Sequence, residues 1–488
     1  MLPTLRDRPA APRHEGLLAA SAGHRQTAMN TWARSALDRS DKLLTLCAPL
    51  DADIARRAGS GLAVLTAEDL QSNCQPIASR GHSRHRTIRY GMDMRKVTVI
   101  GGGLGGLVAA ITAAEAGAEV TLHEAHRTLG GRWRTARRPY LAHEGPHVIY
   151  RDGPLWAWLA ERQLLGQTCR VGLGATLRFR FRLEGQIKRN PPVALARALL
   201  LGVRRNVPSE VSYSEWISAR LGEHVARIAA SAAGVAVFHP DPGALSAAFV
   251  AERLGRVFSL PPKASYRRGS WGATLFDDLA TYAISRGVTI ELRSRVSQVG
   301  DGITIIATEL ESARRLLGDD TLDWPSGRTA LLDLGVVRGR SDAFVLSDLD
   351  HCGWLETFSY PDPTIAPAGE HLAQISAPIG HEESKAVGVA RAEGLADLAL
   401  PGWRERTTYR LEAVANARTG AVDYPGATWR DRPAVDRGDG VYLVGDRVAA
   451  PGLLSEVSFN SAVIAGTLAA GFADHAVCDQ AFVGNSGA

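Results

Sequence analysis

The chain has 488 residues, of which 45% are hydrophobic, and this is enough to bury two cores. No run of residues approaches the roughly 18 consecutive apolar residues of a membrane span. The net charge of +5 is modest, and much of the Arg and His excess lies before residue 95, so we expect no nucleic-acid partner. Five cysteines lie scattered without metal-ligand spacing, which favours a reducing cytoplasm and predicts no metal site; they are Cys47, Cys74, Cys169, Cys352 and Cys478.

Residues 1–91 are rich in Arg, Ala, Ser and His, and their apolar periodicity is poor. No apolar signal-peptide core follows Met1, and acidic residues such as Asp51 and Glu68 weigh against a transit peptide. We expect this segment to be a disordered leader, or one that the native protein lacks. A regulatory segment and a targeting segment are the alternatives.

A β-branched strand from Val97 to Ile100 leads into Gly101-x-Gly103-x-x-Gly106 and then into an Ala-rich helix. Gly101 permits a tight turn, Gly103 lets the backbone approach a pyrophosphate, and Gly106 lets the helix pack closely on the strand. The helix N-terminus then faces the phosphates with unpaired N–H groups. Glu124 ends a second strand roughly 20 residues later, where a carboxylate accepts hydrogen bonds from ribose hydroxyls. The pattern predicts a dinucleotide site formed by Gly101, Gly103, Leu104, Gly105, Gly106 and Glu124.

Two further segments indicate which dinucleotide this site takes. A Gly-Gly-Arg-x-x-Thr run occupies residues 130–135, and an apolar strand near the C-terminus ends in Gly445-Asp446. Together with the first motif, these segments resemble the large flavoprotein family that holds flavin amine oxidases, protoporphyrinogen oxidases and phytoene-type desaturases. Thr128 stands where that family usually has Arg or Ser, which is a mild departure.

The resemblance covers roughly residues 94–472. It implies an α/β fold, in which a Rossmann-like FAD-binding domain of the glutathione-reductase type is interleaved with an α+β substrate domain containing an antiparallel sheet. It also implies FAD as the cofactor, with the helix that opens around Ser455 pointing its N-terminus at the flavin pyrimidine. The residues assigned to FAD on this basis are Gly130, Gly131, Arg132, Val296, Gly445, Asp446 and Leu454.

The expected division of the chain alternates between the two domains. The FAD-binding parts are residues 92–150, 263–320 and 401–475, the substrate-domain parts are residues 151–262 and 321–400, and residues 476–488 form a tail. We expect the first substrate part to be mostly helical and a helix to open at Tyr266. Alternating runs from Thr329 to Ile379 predict antiparallel strands, which relatives fold into a sheet over the flavin.

The catalytic residues are harder to predict, because the flavin itself takes the hydride while the protein supplies position and electrostatics. His147 lies in a segment that resembles the one beside the isoalloxazine ring in relatives, and it could accept a proton. A structural histidine is the alternative. Aromatic candidates for a substrate pocket, each of which could instead be plain core, are Trp133, Tyr150, Trp271, Phe358, Tyr360 and Phe459. The apolar segment Val193 to Val203, with basic neighbours, could contact a membrane surface, but a solvated amphipathic helix is favoured.

These residues predict an FAD-dependent dehydrogenase, desaturase or oxidase. It would remove hydride from a small apolar or secondary-metabolite substrate and be re-oxidised by oxygen or a quinone. A flavin amine oxidase is one alternative, although Phe459 is the only aromatic residue near the start of the flavin helix. An FAD-binding isomerase or non-catalytic flavoprotein is another. No second dinucleotide fingerprint for a nicotinamide is present in the sequence.

Overall fold

The computed structural model describes residues 95–135, 139–145, 147–204 and 206–471. The predicted leader and tail lie outside these residues. All described residues belong to one unit of the chain, which spans residues 90–488.

The described residues form fifteen strands and thirteen α-helices, with five of the helices in succession between residues 193 and 257. The strands are β1 (Lys96–Ile100), β2 (Glu119–Glu124), β3 (Ile149–Tyr150), β4 (Thr168–Cys169), β5 (Phe179–Leu183), β6 (Gln186–Lys188), β7 (Ala264–Arg267), β8 (Thr289–Leu292), β9 (Ile303–Ile306), β10 (Ser326–Val337), β11 (Val345–Asp348), β12 (Trp354–Thr357), β13 (Glu370–Pro378), β14 (Thr407–Ala421) and β15 (Val441–Leu443). The α-helices are α1 (Leu104–Glu115), α2 (Pro154–Glu161), α3 (Leu173–Thr176), α4 (Val193–Arg204), α5 (Tyr213–Leu221), α6 (Glu223–Ala232), α7 (Gly234–Val237), α8 (Ala247–Val257), α9 (Trp271–Ser285), α10 (Leu310–Leu317), α11 (Lys385–Ala399), α12 (Trp403–Arg406) and α13 (Ser455–Ala469). Short 3-10 helices cover Gly131–Trp133, Pro242–Ala244, Pro363–Ile365 and Trp429–Asp431.

A five-stranded parallel sheet in the order β15-β9-β1-β2-β8 carries the glycine motif. Its central strand β1 pairs in register with both neighbours, so that Val97 lies opposite Val120 on one side and Ile303 on the other. Val97 and Val99 are fully buried, as expected for a parallel strand covered on both faces. The carboxyl ends of these strands meet at one edge, where parallel sheets of this kind bind their ligands.

A seven-stranded sheet in the order β14-β10-β13-β12-β11-β5-β6 forms the second layer. Its central strands are antiparallel, with Leu332 opposite Ile375. This agrees with the alternating pattern predicted between Thr329 and Ile379. Helix α11 covers one face of the sheet through buried residues such as Leu395.

Strands β5 and β6 lie inside the segment for which the sequence predicts mostly helix. They form a hairpin across Glu184 and Gly185, both of which have positive φ angles. Strand β5 then pairs in parallel with β11 at the sheet edge. The alternating Phe-Arg-Phe-Arg-Leu run of β5 is a strand pattern, and the helical periodicity of its neighbours hid it.

Two other boundaries differ from the expected division. The segment at Tyr266 is strand β7, and helix α9 begins only at Trp271, because Gly269 and Ser270 have φ angles of +76° and +69° that no helix accommodates. Strand β14 pairs with β10 over its length, so the antiparallel sheet extends to Ala421 rather than ending near residue 400.

The helical layer consists mainly of α4, α5, α6 and α8, which share a core that includes Tyr213 and Trp216. Ser212 caps the N-terminus of α5 in a reciprocal capping box with Glu215, in which each side chain accepts from the backbone N–H of the other residue. Within the described ranges, no helix is both long and apolar enough to cross a membrane.

Candidate functional site

The turn between β1 and α1 requires glycine at two positions. Gly101 has a φ of +109°, and its N–H donates to the carbonyl of His123 at 2.8 Å. A Cβ at Gly106 would lie 1.8 Å from the carbonyl oxygen of Gly101. A side chain at position 106 would therefore force helix and turn apart, which is the close packing that the sequence predicts.

Helix α1 begins immediately after Gly103, and its N-terminus faces a second glycine turn. No described side chain caps the helix, and its first turn contains no acidic residue. A Cβ at Gly103 would meet only the Cα of Gly131, at 3.9 Å. Donors that lack a helical partner, next to open space, make an anion site suited to a pyrophosphate. Gly105 has a different role, because its Cβ would lie 2.6 Å from Val444, so it allows the helix to pack on the end of β15.

Glu124 is buried at the end of β2, and its carboxylate holds the glycine turn after β1 and the turn that follows β2. Its Oε2 accepts from the N–H of Gly102 at 2.8 Å, and its Oε1 accepts from the N–H of His126 at 2.8 Å. Each carboxylate oxygen has a further lone pair, so Glu124 can still accept hydrogen bonds from ribose hydroxyls. Gly102 also accepts from the N–H of Gly130 at 2.9 Å, which joins the two glycine turns.

Arg132 and Asp446, which are 314 positions apart, meet at the carboxyl edge of the parallel sheet. Nη1 of Arg132 donates to Oδ2 of Asp446 at 2.5 Å and to the carbonyl of Arg418 at 2.6 Å. Burial alone would raise the pKa of Asp446, but the Arg132 guanidinium holds it below its ordinary value. The site therefore carries an ionised carboxylate that can accept and a guanidinium that can donate.

Helix α13 begins beside this pair, after Leu454. Leu454 has φ +53° and ψ −117°, a strained conformation for a residue with a side chain. No described side chain caps the helix, and Glu456 in its first turn pairs with Arg256 at 2.6 Å. Val296, which the resemblance assigns to FAD, follows β8 and packs against the core of the parallel sheet.

Four rings form a continuous stack next to Arg132. The ring centroids lie 6.4 Å apart from Trp133 to His143, 4.0 Å from His143 to His147 and 3.7 Å from His147 to Phe358. A Cβ at Gly145 would lie 2.9 Å from the carbonyl oxygen of Arg132, so the loop that carries both histidines packs directly on the Gly-Gly-Arg segment. The stack links the predicted dinucleotide site to the seven-stranded sheet.

Both histidines of the stack are neutral at pH 7. Burial lowers the pKa of His143 to about 4, and burial together with His143 lowers the pKa of His147 well below its ordinary value. Nε2 of His147 forms no hydrogen bond of good geometry among the described residues, whereas the Gly145 backbone lies close enough to His143 to oppose in part the lowering of its pKa by burial. A buried ring nitrogen without a well-aligned partner is available to a polar group of a ligand.

Buried acids lie on the sheet side of the stack. Glu356 accepts from the Tyr266 hydroxyl at 2.5 Å and from Nε1 of Trp354 at 3.1 Å, and burial raises its pKa to about 7. Asp333 accepts from Gln374 at 2.8 Å, and burial raises its pKa to about 7 as well. These groups can hold a proton near neutral pH.

The structure brings some predicted pocket residues together and separates others. Phe358 stacks on His147. Tyr150 is half-buried, and the Arg256 guanidinium lies over its ring, 4.9 Å from the ring centre. Trp271 lies in the core of the parallel sheet, where its Nε1 donates to Ser265.

Two more predicted pocket residues lie elsewhere. The Tyr360 hydroxyl donates to the Asp342 carbonyl at 2.9 Å, and the ring packs near His371 rather than on the stack. Phe459 is predicted for the pocket as an aromatic residue near the start of the flavin helix, but helix α13 turns it into the core, edge-on to Trp158 at 5.9 Å.

Sequence reasoning missed His143, Tyr266, Asp333, Glu356 and Gln374. The spacing of His143 and His147 in a short Gly-Pro loop was a usable signal for the first of these. Asp333, Glu356 and Gln374 lie on strands that meet only through pairing in the seven-stranded sheet. Tyr266 lies on β7 of the separate sheet β3-β7-β4 and meets Glu356 only in the folded chain, so no local pattern identifies these four.

Comparison with known proteins agrees with this architecture. The family model described as NAD(P)-binding Rossmann-like domain (NAD_binding_8) matches residues 99–163. No curated protein sequence matches the chain.

Among solved structures, an oxidoreductase from Methanosarcina mazei is 18% identical with a TM-score of 0.62, covering 76% of this chain and 99% of that one. A reduced UDP-galactopyranose mutase is 15% identical with a TM-score of 0.60, covering 80% and 99%. Cyclohexylamine oxidase from Brevibacterium oxydans is 15% identical with a TM-score of 0.57, covering 77% and 99%. At these identities the likeness establishes the fold, and the predicted fold class is confirmed.

Proposed function

We propose that this chain is an FAD-dependent oxidoreductase that removes hydride from a small, uncharged substrate. The observation that carries the proposal is the convergence at one sheet edge of the uncapped α1 N-terminus, the facing glycines Gly103 and Gly131, and the Arg132–Asp446 pair. Each sits where the resemblance to flavoproteins assigns a different part of FAD.

The described residues suit that cofactor. The α1 N-terminus and the two glycine turns would hold the pyrophosphate, and Glu124 would accept from the ribose. Arg132 would donate to the anionic part, and Asp446 would accept from a ribityl hydroxyl. A bound flavin supplies a hydride acceptor at N5.

The chain's own contribution is a dry, neutral and aromatic surface next to that site. His143 is buried, His147 is half-buried, and both are uncharged; because the rings of Trp133, His143, His147 and Phe358 cover one another's faces, the edges of the stack are what would border an apolar substrate. A cationic substrate group would find no ionised partner on this stack. Nε2 of His147 has the free lone pair or N–H to orient a substrate oxygen or nitrogen, or to take up its proton.

The electron acceptor in this proposal is oxygen or a quinone. The sequence contains a single dinucleotide fingerprint, and a site that holds FAD cannot hold a nicotinamide at the same time. This argues against a nicotinamide as either the donor or the acceptor of electrons. Electrons therefore come from the substrate.

Anaerobic reduction of the flavin tests this proposal. NADH and NADPH should bleach the flavin slowly or not at all, whereas a panel of alcohols and cyclic alkenes should contain a compound that bleaches it fast and saturably, and amines, which are cationic at pH 7, should not. Rapid, saturable bleaching by NADPH would move the protein to the hydroxylase or reductase class.

The variant His147→Ala separates a proton-handling role from a structural one. Loss of a general base lowers the rate of bleaching by about 10²–10⁴-fold. Flavin occupancy should stay unchanged, because His147 lies outside the residues assigned to the cofactor. An unchanged rate would make His147 structural.

A further inference from the structure

A cavity of about 580 Å³ lies between helices α4 and α8 and the segment of residues 423–432. None of its lining residues belongs to the glycine turns, the Arg132–Asp446 pair or the ring stack. Its walls are largely apolar and include Ala198, Leu199, Phe249 and Leu254. A cavity of this size and lining suits a small organic molecule.

Two arginines with buried side chains line this cavity. Arg253 is 5% exposed and Arg432 is 4% exposed. Arg432 forms a two-point pair with Asp423, at 3.1 Å from Nε and 2.8 Å from Nη2. Its third nitrogen, Nη1, is buried and has no partner among the described residues.

Arg253 lacks a comparable carboxylate. Its Nη1 donates to the carbonyl of Phe249 at 3.1 Å, and the nearest acid, Glu252, is solvent-exposed and 3.7 Å away. Burial lowers the pKa of Arg253 to about 10, and the nearby charge of Arg432 acts in the same direction. Asp423 and Glu456 both attract Arg253, and its guanidinium lies 3.4 Å from the centre of the Phe249 ring, but no described carboxylate pairs with Arg253 at two points as Asp423 does with Arg432.

The remaining charges around the cavity do not balance this excess. The charged lining residues are Glu252, Arg253, Asp423, Arg430 and Arg432. An unpaired buried cation is costly, and an anion brought into the cavity would offset that cost. Arginine also presents a planar fork that matches carboxylate and phosphate oxygens.

We propose that this cavity binds the carboxylate or phosphate group of a small molecule that has an apolar body. Arg253 and Arg432 recognise the anionic group, and the apolar wall takes the body. The proposal goes beyond the flavin chemistry and does not depend on it, since it concerns residues outside the dinucleotide site.

Calorimetric titration of the full-length protein with three eight-carbon probes tests the proposal. Octanoate and octyl phosphate should each bind saturably at one site per chain, and 1-octanol should bind at least tenfold more weakly. The tighter of the two anions identifies the head group. Octanol binding as tight as that of both anions, or no saturable heat from either anion, would overturn the proposal.

Substitutions locate the binding. Arg253→Met keeps the apolar stem over Phe249 and removes a poorly paired buried charge, so the variant should fold. It should weaken the anionic probes at least tenfold and leave octanol unchanged. Ala248→Leu, which narrows the cavity without altering charge, should weaken all three probes.

Arg220→Met is the matched control. Arg220 lies over Trp216 in the same helical layer, 5.3 Å from its ring centre, and does not line the cavity. This variant should bind every probe like the unmodified protein. If Arg253→Met also binds the anions unchanged, the assigned residues are wrong and the proposal fails.

Discussion

The buried carboxyl group of Glu356 makes a quantitative prediction about stability. Burial raises its pKa from 4.5 to about 7, while the hydrogen bonds from Tyr266 and Trp354 oppose the rise only in part. Because the folded state holds the proton more tightly than the unfolded state, its contribution to stability is complete below about pH 4.5 and is lost as the pH rises to about 7. One pKa unit is worth about 1.36 kcal/mol, so about 3 kcal/mol disappears over this range.

Glu356→Gln removes the titration while keeping the side-chain shape and an acceptor for one of the two donors. Near pH 4.5 the variant should have a free energy of unfolding close to that of the unmodified protein. By pH 8 it should be more stable by up to about 3 kcal/mol, because Gln never has to ionise. Urea unfolding at pH 5, 6, 7 and 8 measures the difference directly.

Glu115→Gln is a control with the opposite sign. Burial of Glu115 would raise its pKa, but hydrogen bonds from Arg162 and Tyr282 outweigh burial and lower it. Its ionised form therefore stabilises the fold above its ordinary pKa, and the Gln variant should lose stability at pH 7.

Parallel pH curves for Glu356→Gln and the unmodified protein would refute the assignment of a neutral buried acid beside the ring stack.

Three other changes follow from the structure. Gly103→Val places a side chain where the only neighbour is the Cα of Gly131 at 3.9 Å, so the cofactor-free protein should keep its thermal midpoint but lose FAD binding; Gly172→Val, at a position open to solvent, should change neither. Asp446→Ala removes the partner of Arg132 and should lower flavin occupancy, measured as the ratio of flavin absorbance to protein absorbance in the purified protein. Removing residues 1–91 should leave FAD content unchanged and shift the thermal midpoint by less than about 5 °C, since a larger drop means more than about 1 kcal/mol of lost packing.

The sequence predicts the part of the fold that depends on neighbouring residues. Strand β1, helix α1 and strand β2 follow from a β-branched run, glycines at fixed spacing and an acid at the end of the second strand. The run at Phe179–Leu183 carried an equally local signal, but its partner β11 lies far along the chain, so pairing rather than propensity decides its place.

The same distinction applies to the site. Arg132 and Asp446 were identified separately from their motifs, whereas the ion pair between them depends on how the chain folds. Glu356 and Gln374 lie opposite each other on β12 and β13 because of the strand register. A slip of one residue would turn either side chain to the other face of the sheet. The prediction for Phe459 fails differently, because lying near the start of helix α13 does not determine which face of the helix a residue occupies.

Identifying the cofactor tests the central claim most directly. Acid precipitation of the purified protein should release one FAD per chain, since no Cys or His could be assigned to a covalent flavin link. The extract should match FAD rather than FMN, because we assign Glu124 to the adenosine ribose and the α1 N-terminus to the pyrophosphate. A colourless protein that cannot be reconstituted with FAD, or one that releases FMN, would contradict the account.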